Sequence, residues 1–426
     1  MFEKMDRREF IDRAAIGTAG AAFAAHAASA QGKPSNRVVV GVMGLSRGLS
    51  LACGFAEQPD VEVRYVCDTD TRRAEQGCAA VEKKGAPKPQ IIADFRKMLD
   101  DKELDALVCA APNHWHASAT ILACNAGKHV YVEKPCSHNP WEAQAMAESA
   151  RKHDRVVQVG TQRRSSANVR EAIGLLHSGE LGRVYSSRSH LWGGRGTIGT
   201  GKPADVPAYL DYELWQGPAP RRPYKDNLIP YNWHWHWHWG NGELGNNGVH
   251  TLDLCRWGLQ VDFPVRVTSS GGRYCFDDDQ ETPDTHVVAF EYADEKLITW
   301  QGHSCNQHVD DFVSFYGEKG MLKIGDLGDY TLYDANDKLV REVKGTLGEP
   351  EHIANFLAAV RADDPSLLNC AIEHAYPSTT MCHLGNIAHR TGRALTCDPK
   401  NGAILNDDDA MRYWKREYEP GWEPIV

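Results

Sequence analysis

Glu133, Lys134 and Pro135 close the run Ala126-Gly-Lys-His-Val-Tyr-Val-Glu-Lys-Pro, in which a β-rich stretch delivers a carboxylate and an ammonium to a strand's C-terminal end. Open α/β sheets hold their ligands at that edge. The proline fixes the backbone and removes a donor where the strand stops. A lysine there can steer an anion, or hydrogen-bond a hydroxyl that is losing its proton. A strand-end salt bridge is the plainer reading of the same residues.

Further chemistry-bearing residues point the same way. Gly41-Val-Met-Gly44-Leu-Ser46-Arg47-Gly48 follows a β-branched run directly. Glycines there let the backbone approach a pyrophosphate, whose charge then sits at a helix N-terminus. The match to G-x-G-x-x-G is imperfect, with Ser46 and Leu49 where glycine is usual. Asp68 ends the next β-branched run. A carboxylate there accepts from ribose hydroxyls and repels a 2′-phosphate, so NAD is favoured over NADP, although Arg72 and Arg73 stand close by. Asp68 reads equally as a helix N-cap. Downstream, Gly245-Asn246-Asn247-Gly248-Val249-His250-Thr251-Leu252-Asp253 opens a helix that places His250 and Asp253 on one face. A histidine can take a hydroxyl proton there, while a lone helical histidine is otherwise structural.

These residues need a scaffold. Val38–Val42, Val61–Cys67, Leu104–Ala110, His129–Val132 and Val156–Val159 read as strands. Leu49–Glu57, Asp70–Lys84, Trp115–Ala126 and Trp141–His153 read as the helices between them. That rhythm predicts a Rossmann-type, doubly wound parallel sheet over residues 37–160, with Lys134 and Asp68 on one edge. Residues 161–395 change texture. Runs at 184–192, 265–275, 285–292, 296–303, 311–317 and 320–324 read as strands without helices between them, hence an α+β domain with a large open antiparallel sheet. Helices are expected at Glu351–Ala362 and Ile372–Gly392. Residues 396–426 form a tail held by aromatic packing.

Residues 193–240 are a long Gly/Pro/Trp-rich excursion, too long for a passive loop. Within it, Asn232-Trp-His-Trp-His-Trp-His-Trp239 alternates strictly. If extended, it puts His234, His236 and His238 on one face and tryptophans on the other. Imidazoles spaced ~7 Å apart along a strand do not converge on a metal without a bend, and no metal is assigned. Tryptophan faces can instead flank a sugar ring, or pack the excursion down. Tyr231 and His234 are the substrate candidates here.

Residues 1–30 read as a twin-arginine targeting segment, with Arg7-Arg8 before the apolar Ala14–Ala25 and a small-x-small cleavage pattern at Ala28-Ser-Ala30. Export to the periplasm follows. No other stretch is apolar enough to span a bilayer. A net charge of −10 without a basic run argues against nucleic acid. Twelve cysteines in an exported chain suggest disulfides, yet there is no C-x-x-C, and Cys67, Cys109 and Cys255 sit in apolar runs, which favours buried free thiols.

On these motifs the chain resembles the glucose–fructose oxidoreductase/inositol dehydrogenase/rhizopine-catabolism (Gfo/Idh/MocA) family over residues 37–395. The family's A-G-K-H-V-x-V-E-K-P stands at 126–135. Its T-P-N-x-x-H appears as Ala111-Pro112-Asn113-His114-Trp115-His116, and its D-x-G-x-H-x-x-D as Asn246 to Asp253. The resemblance implies that Lys134 is the substrate-hydroxyl lysine and His250 the general base. Asn246 and Asp253 then fall on the substrate side. Gly44, Ser46, Arg47, Asp68, Pro112, Asn113, His116 and Glu133 fall to an NAD cofactor. Asn246 replaces the usual aspartate, and an amide cannot accept a proton, so a shared Asp–His relay is not available. The resemblance further implies a homodimer or homotetramer.

The expected activity is oxidation or reduction at a hydroxyl of a sugar, sugar acid, cyclitol or glycoside. Because an exported enzyme meets no free NAD, the cofactor is expected to stay bound. One alternative is an NAD-dependent glycosidase working by transient oxidation and elimination, a related branch that the chain resembles less because that branch lacks Glu-Lys-Pro. A non-catalytic sugar or nucleotide sensor on the same fold is the other.

Overall fold

The computed structural model describes residues 36–426, and the stretch expected to be a targeting segment lies outside them. Val38–Val426 is one compact unit. It is built around two sheets.

The first sheet contains β1 (Val38–Met43), β2 (Val61–Cys67), β3 (Gln90–Ile92), β4 (Ala106–Cys109), β5 (His129–Val132) and β6 (Val157–Val159) in the order 3-2-1-4-5-6. All its pairings are parallel. Every residue of β1, β4 and β5 is buried. That is why these strands read as unbroken apolar runs rather than alternating ones. Helices α1 (Gly48–Ala56), α2 (Thr71–Lys83), α3 (Asn113–Asn125) and α4 (Pro140–Lys152) make the crossovers. One row of backbone hydrogen bonds ties the strands' C-terminal edge together: Gly44 N–H to Cys67 O, Ala110 N–H to Met43 O, Glu133 N–H to Cys109 O and Gly160 N–H to Val132 O, each 2.8 Å. Gly44, Asp68, Pro112 and Lys134 all follow that row.

Helix α5 (Ala167–His177) leads into β7 (Val184–Trp192). After the excursion come α6 (Val249–Leu259), β8 (Arg266–Gly272), β9 (Thr285–Glu291), β10 (Leu297–His303), β11 (Val313–Gly317), β12 (Gly320–Ile324), β13 (Tyr330–Asp334) and β14 (Leu339–Val343). Helices α7 (Glu349–Ala362) and α8 (Ile372–Thr391) and the short β15 (Leu395–Thr396) follow. The second sheet runs 14-13-12-11-7-10-9-8-15. It is antiparallel except where β7 meets β10 in parallel. A parallel neighbour needs a long crossover, and the excursion with α6 supplies it.

The two closing helices do more than cover the second sheet. On α7, Ile353, Phe356 and Leu357 pack among Val40, Leu51, Phe55 and Tyr131 of the first layer. The Phe356 ring stands edge-on to Tyr131 at 5.8 Å. The start of α8 (Ile372, Ala375) joins the core under β5 and β6, while Met381, Leu384 and Ile387 pack beneath the second sheet with Phe290 and Trp300. In the tail, Trp422 stands edge-on to Trp115 at 5.1 Å. Cys67, Cys109 and Cys255 are buried free thiols.

The Trp/His ribbon is not extended. Asn232–Trp235 forms a 3₁₀ turn, and the chain turns again before Gly240. The period-2 pattern had no neighbouring strand to pair with. Instead Trp233 and Trp239 are buried with Leu210, Tyr212 and Trp215 in an aromatic cluster internal to the excursion.

Candidate active site

A cavity of about 310 Å³ runs along the sheet edge from Asp68 and Gly44 to Lys134, Tyr231, His234 and Asn246. Its nucleotide end has the features a dinucleotide needs. Gly44 has φ +85°, and a Cβ there would lie 2.5 Å from Ala111 N and 2.6 Å from Ala110 O. Only glycine lets this turn approach the β4–α3 loop. Asp68 accepts the Leu45 N–H at 2.7 Å and the Asp70 N–H at 2.9 Å. Each carboxylate oxygen keeps a lone pair for a ribose hydroxyl. Burial raises the Asp68 pKa, and the two N–H groups pull against that. The N-cap of α2 is Asp70, which accepts from Arg72 N, so Asp68 is left for the cavity. Arg72 is committed to Asp70 at 2.8 Å and lies 3.2 Å over the Tyr209 ring, away from a 2′-phosphate role. Ser46, Pro112 and Asn113 line the same end, and the buried Asn113 Nδ2 has no protein partner among the described residues. A buried unpaired donor in a cavity is what a bound polar group would satisfy.

Arg47 and Glu133 form a frame beneath the cavity. Arg47 Nε is 3.0 Å from Glu133 Oε1, and the same guanidinium pairs with Glu349. Burial opposes its charge, but Glu133 and Glu349 outweigh that and hold its pKa above the usual value. Glu133 Oε2 also accepts the Lys134 N–H at 3.2 Å, and a Cβ on Gly160 would press within 3.0 Å of the carboxylate. Glu133 therefore orients the lysine-bearing turn. His116 does likewise from below: its ring nitrogens lie 2.7 Å from Pro135 O and 2.7 Å from Ala111 O, stapling the two loops.

Lys134 carries the site. Its Nζ donates to Asn246 O at 2.9 Å and lies 3.5 Å from Asn246 Oδ1. Among the described residues no carboxylate stands within ion-pair distance of it. Burial lowers its pKa. The Asn246 carbonyl comes from a single wide π turn, Leu244–Gly248, leading into α6. Such turns displace the ordinary i→i+4 pairing and recur at functional sites. The Asn246 Nδ2 reaches Tyr231 Oη at 3.5 Å.

His250 is half-buried, one turn along, and no protein group hydrogen-bonds its imidazole among the described residues. Burial first, then the charges of Lys134, Arg163 and Arg47, hold its pKa well below 6.5. It is a neutral imidazole beside cations, with no carboxylate to orient it. His234 is also kept neutral, at about 3, chiefly by burial. It stacks on Trp233 at 3.5 Å, and its Nδ1 lies 2.6 Å from Tyr231 O.

Asp253 is a correction to the sequence reading. It lies off the cavity, its carboxylate held by Arg164 Nε at 2.7 Å, Arg164 Nη2 at 2.9 Å and the Ser378 hydroxyl at 2.8 Å. The three histidines of the ribbon also part company: His234 lines the cavity, His236 Nδ1 lies 3.7 Å from Glu281, and His238 Nε2 lies 2.8 Å from Pro220 O.

Two features escaped the sequence reading. One is Glu243, a buried carboxylate held by Arg195 at 3.3 Å and by the Asn247 amide within the altered motif. Its place one turn before Asn246 was the available signal. The other is a strap: Tyr209–Asp211 crosses the α2 entrance through Thr71 N–H to Tyr209 O and Asp211 N–H to Thr69 O, both 2.9 Å. Leu210, Leu214 and Trp215 thereby roof the nucleotide end.

Known proteins share this fold. Residues 16–161 match the family described as oxidoreductase family, NAD-binding Rossmann fold, and residues 186–423 match its C-terminal alpha/beta domain. The chain belongs to the Gfo/Idh/MocA oxidoreductase family. A levoglucosan dehydrogenase of Pseudarthrobacter phenanthrenivorans is 27% identical over 191 residues, 42% of each chain. A glycosyl hydrolase family 109 protein of Shewanella baltica is 28% identical over 173 residues, 34% of this chain and 38% of that one. By sequence, then, the chain spans about two fifths of these relatives' length. A levoglucosan dehydrogenase solved with NADH and levoglucosan superposes over 84% of this chain and 99% of that one, with a TM-score of 0.65 at 17% identity, a likeness of fold.

Proposed function

We propose that this oxidoreductase acts on a hydroxyl of a sugar, sugar acid, cyclitol or glycoside, with NAD retained between turnovers. The observation that carries the reading is the Lys134 ammonium, bonded to a neutral carbonyl in the cavity that also holds Gly44 and Asp68. Bound NAD supplies the hydride acceptor or donor. An ammonium has three donors, so with one on Asn246 O the others can take the substrate oxygen and stabilise negative charge as its proton leaves. His250, neutral at working pH, accepts that proton. Asn246 Nδ2 and the Tyr231 hydroxyl orient the ring, and Trp233 and His234 wall it off from water.

Retention rests on the strap over the nucleotide end, and it answers the need created by the twin-arginine leader, which we propose exports the folded protein to the periplasm. Homodimers or homotetramers would form through the open face of the second sheet, where Tyr185 and Val287 are exposed at 44% and 42%. The second reading, glycoside cleavage by transient oxidation and elimination, is favoured by the glycosyl hydrolase relative.

Aryl glycosides supplied without added NAD separate the two. Aglycone release without net NADH selects the glycosidase; an absolute need for a second carbonyl substrate selects the oxidoreductase. Mass analysis of the denatured protein should find one NAD per chain. An empty protein that exchanges added NAD rapidly would overturn retention.

A further inference from the structure

The excursion has a second side. Trp237 and His238 line a different cavity, of about 630 Å³, walled also by α8 and the C-terminal tail. Six cationic side chains border it against two carboxylates, Glu281 and Glu417. Three of the six are accounted for: Arg221 pairs with Glu213, Arg412 with Asp409 at 2.6 Å, and the Lys415 ammonium rests 3.8 Å from the Trp141 ring.

Arg222, Arg390 and Arg416 are different. None has a carboxylate within ion-pair distance among the described residues. Among the described residues Arg416 meets only neutral acceptors: His138 Nδ1 at 3.3 Å, His238 O at 3.2 Å and Glu417 O at 3.3 Å. The buried Glu142 acts on it from farther off, its own oxygens taken by the His138 N–H at 2.8 Å and the Tyr418 hydroxyl at 2.9 Å. Burial lowers the Arg416 pKa, Glu142 opposes this, and Arg222 adds to it. Arg390 lies 3.9 Å over the Tyr413 ring and 5.0 Å over Trp237, so its fork is held at the aromatic wall.

Like charges gathered round a concavity destabilise the empty protein and favour an anion in it. Guanidinium forks suit carboxylate and phosphate oxygens, and an indole face suits a sugar ring. We infer that this cavity is a second ligand site, for a small ring-bearing oxyanion, with Arg222, Arg390 and Arg416 on the carboxylate or phosphate and the ring against Trp237. It is separate from the Lys134 cavity and does not depend on the reaction proposed there.

Isothermal titration of the holoenzyme with glucuronate, glucose 6-phosphate and glucose tests this, and the first two probes tell a carboxylate from a phosphate ligand. One or both anions should saturate a single site at least tenfold more tightly than glucose, more weakly as salt rises. The Arg222→Gln/Arg390→Gln double variant alters exposed side chains and keeps the fold. It should lose at least tenfold in affinity, while Lys134→Met binds unchanged. Absence of saturable anion binding, equal binding by the double variant, or loss of binding in Lys134→Met would each overturn the assignment.

Discussion

Two charge clusters meet α6 and the wide turn before it, and the fold treats them oppositely. In one, Asp253 is buried with both oxygens bonded to Arg164 and a third bond from Ser378. In the other, Lys134 has a single carbonyl within 3 Å and His250 has no hydrogen-bond partner among the described residues. A buried charge whose bonding capacity is filled has nothing left for a ligand. One held beside a cavity with capacity to spare is where chemistry can enter. The first cluster is structural and the second is the one proposed for catalysis, although the motif at 246–253 contributes to both.

The largest effect expected from breaking this contrast is on Lys134. Lys134→Met should lower kcat on the order of 10³-fold while leaving the thermal midpoint near the wild-type value, read by steady-state rates and calorimetry on the same sample. Asp253→Asn should do the reverse. It leaves Arg164 buried without its counter-charge, at a cost of about 3–5 kcal/mol. Urea unfolding should show that loss while the activity of the remaining folded enzyme persists. If the two variants behaved alike, the division would fail.

Acid sharpens the comparison because the fold keeps many imidazoles neutral. Burial holds His383 and His286 at about 3 and His352 at about 4. The unfolded chain takes up these protons below about pH 6.5, whereas the folded chain does not. Stability is therefore full above that value and falls as pH drops from 6.5 toward 4. One such imidazole costs on the order of 2 kcal/mol by pH 5. Urea midpoints at pH 7.5 and 5.0 check it, and equal midpoints would contradict it.

The smallest effect concerns the altered motif. Asn246→Asp sets a carboxylate beside Lys134 and His250, which favours their charged forms and raises both pKa values. The acid limb of the kcat/KM profile should move to higher pH, with kcat itself changing less than about tenfold. An unmoved limb would show that His250 is not the titrating base.

Much of this was legible in the sequence, and the exceptions have physical causes. The runs 61–67, 129–132 and 184–192 were read to the residue because each lies between turn-forming neighbours such as Gly127, Pro135, Gly182 and Gly193. Strand β14, Leu-Val-Arg-Glu-Val, was missed: it is an exposed edge strand, so no buried face imprints a pattern on it. Helix α5 was missed between the two sheets, where no strand rhythm announced it. The ribbon at 232–239 misled because alternation marks a strand only when another strand is there to pair. Gly44, Asp68, Asn113 and Lys134 line one cavity because all follow strand ends of one parallel sheet. Asp253 was misplaced because spacing assigns it a helix face but does not reveal that Arg164, eighty-nine residues earlier, occupies it.

The proposed role of Lys134, acting on a hydroxyl over a retained nicotinamide, has a spectroscopic signature. Its most direct test is absorbance at 340 nm when NAD-loaded protein, freed of excess nucleotide by gel filtration, meets a panel of aldoses, cyclitols and glycosides. At least one should raise a signal that stays with the wild-type protein through a second filtration, and the same compound should leave Lys134→Met unchanged on that timescale. A Lys134→Met protein that reaches the wild-type amplitude at the wild-type rate would contradict it.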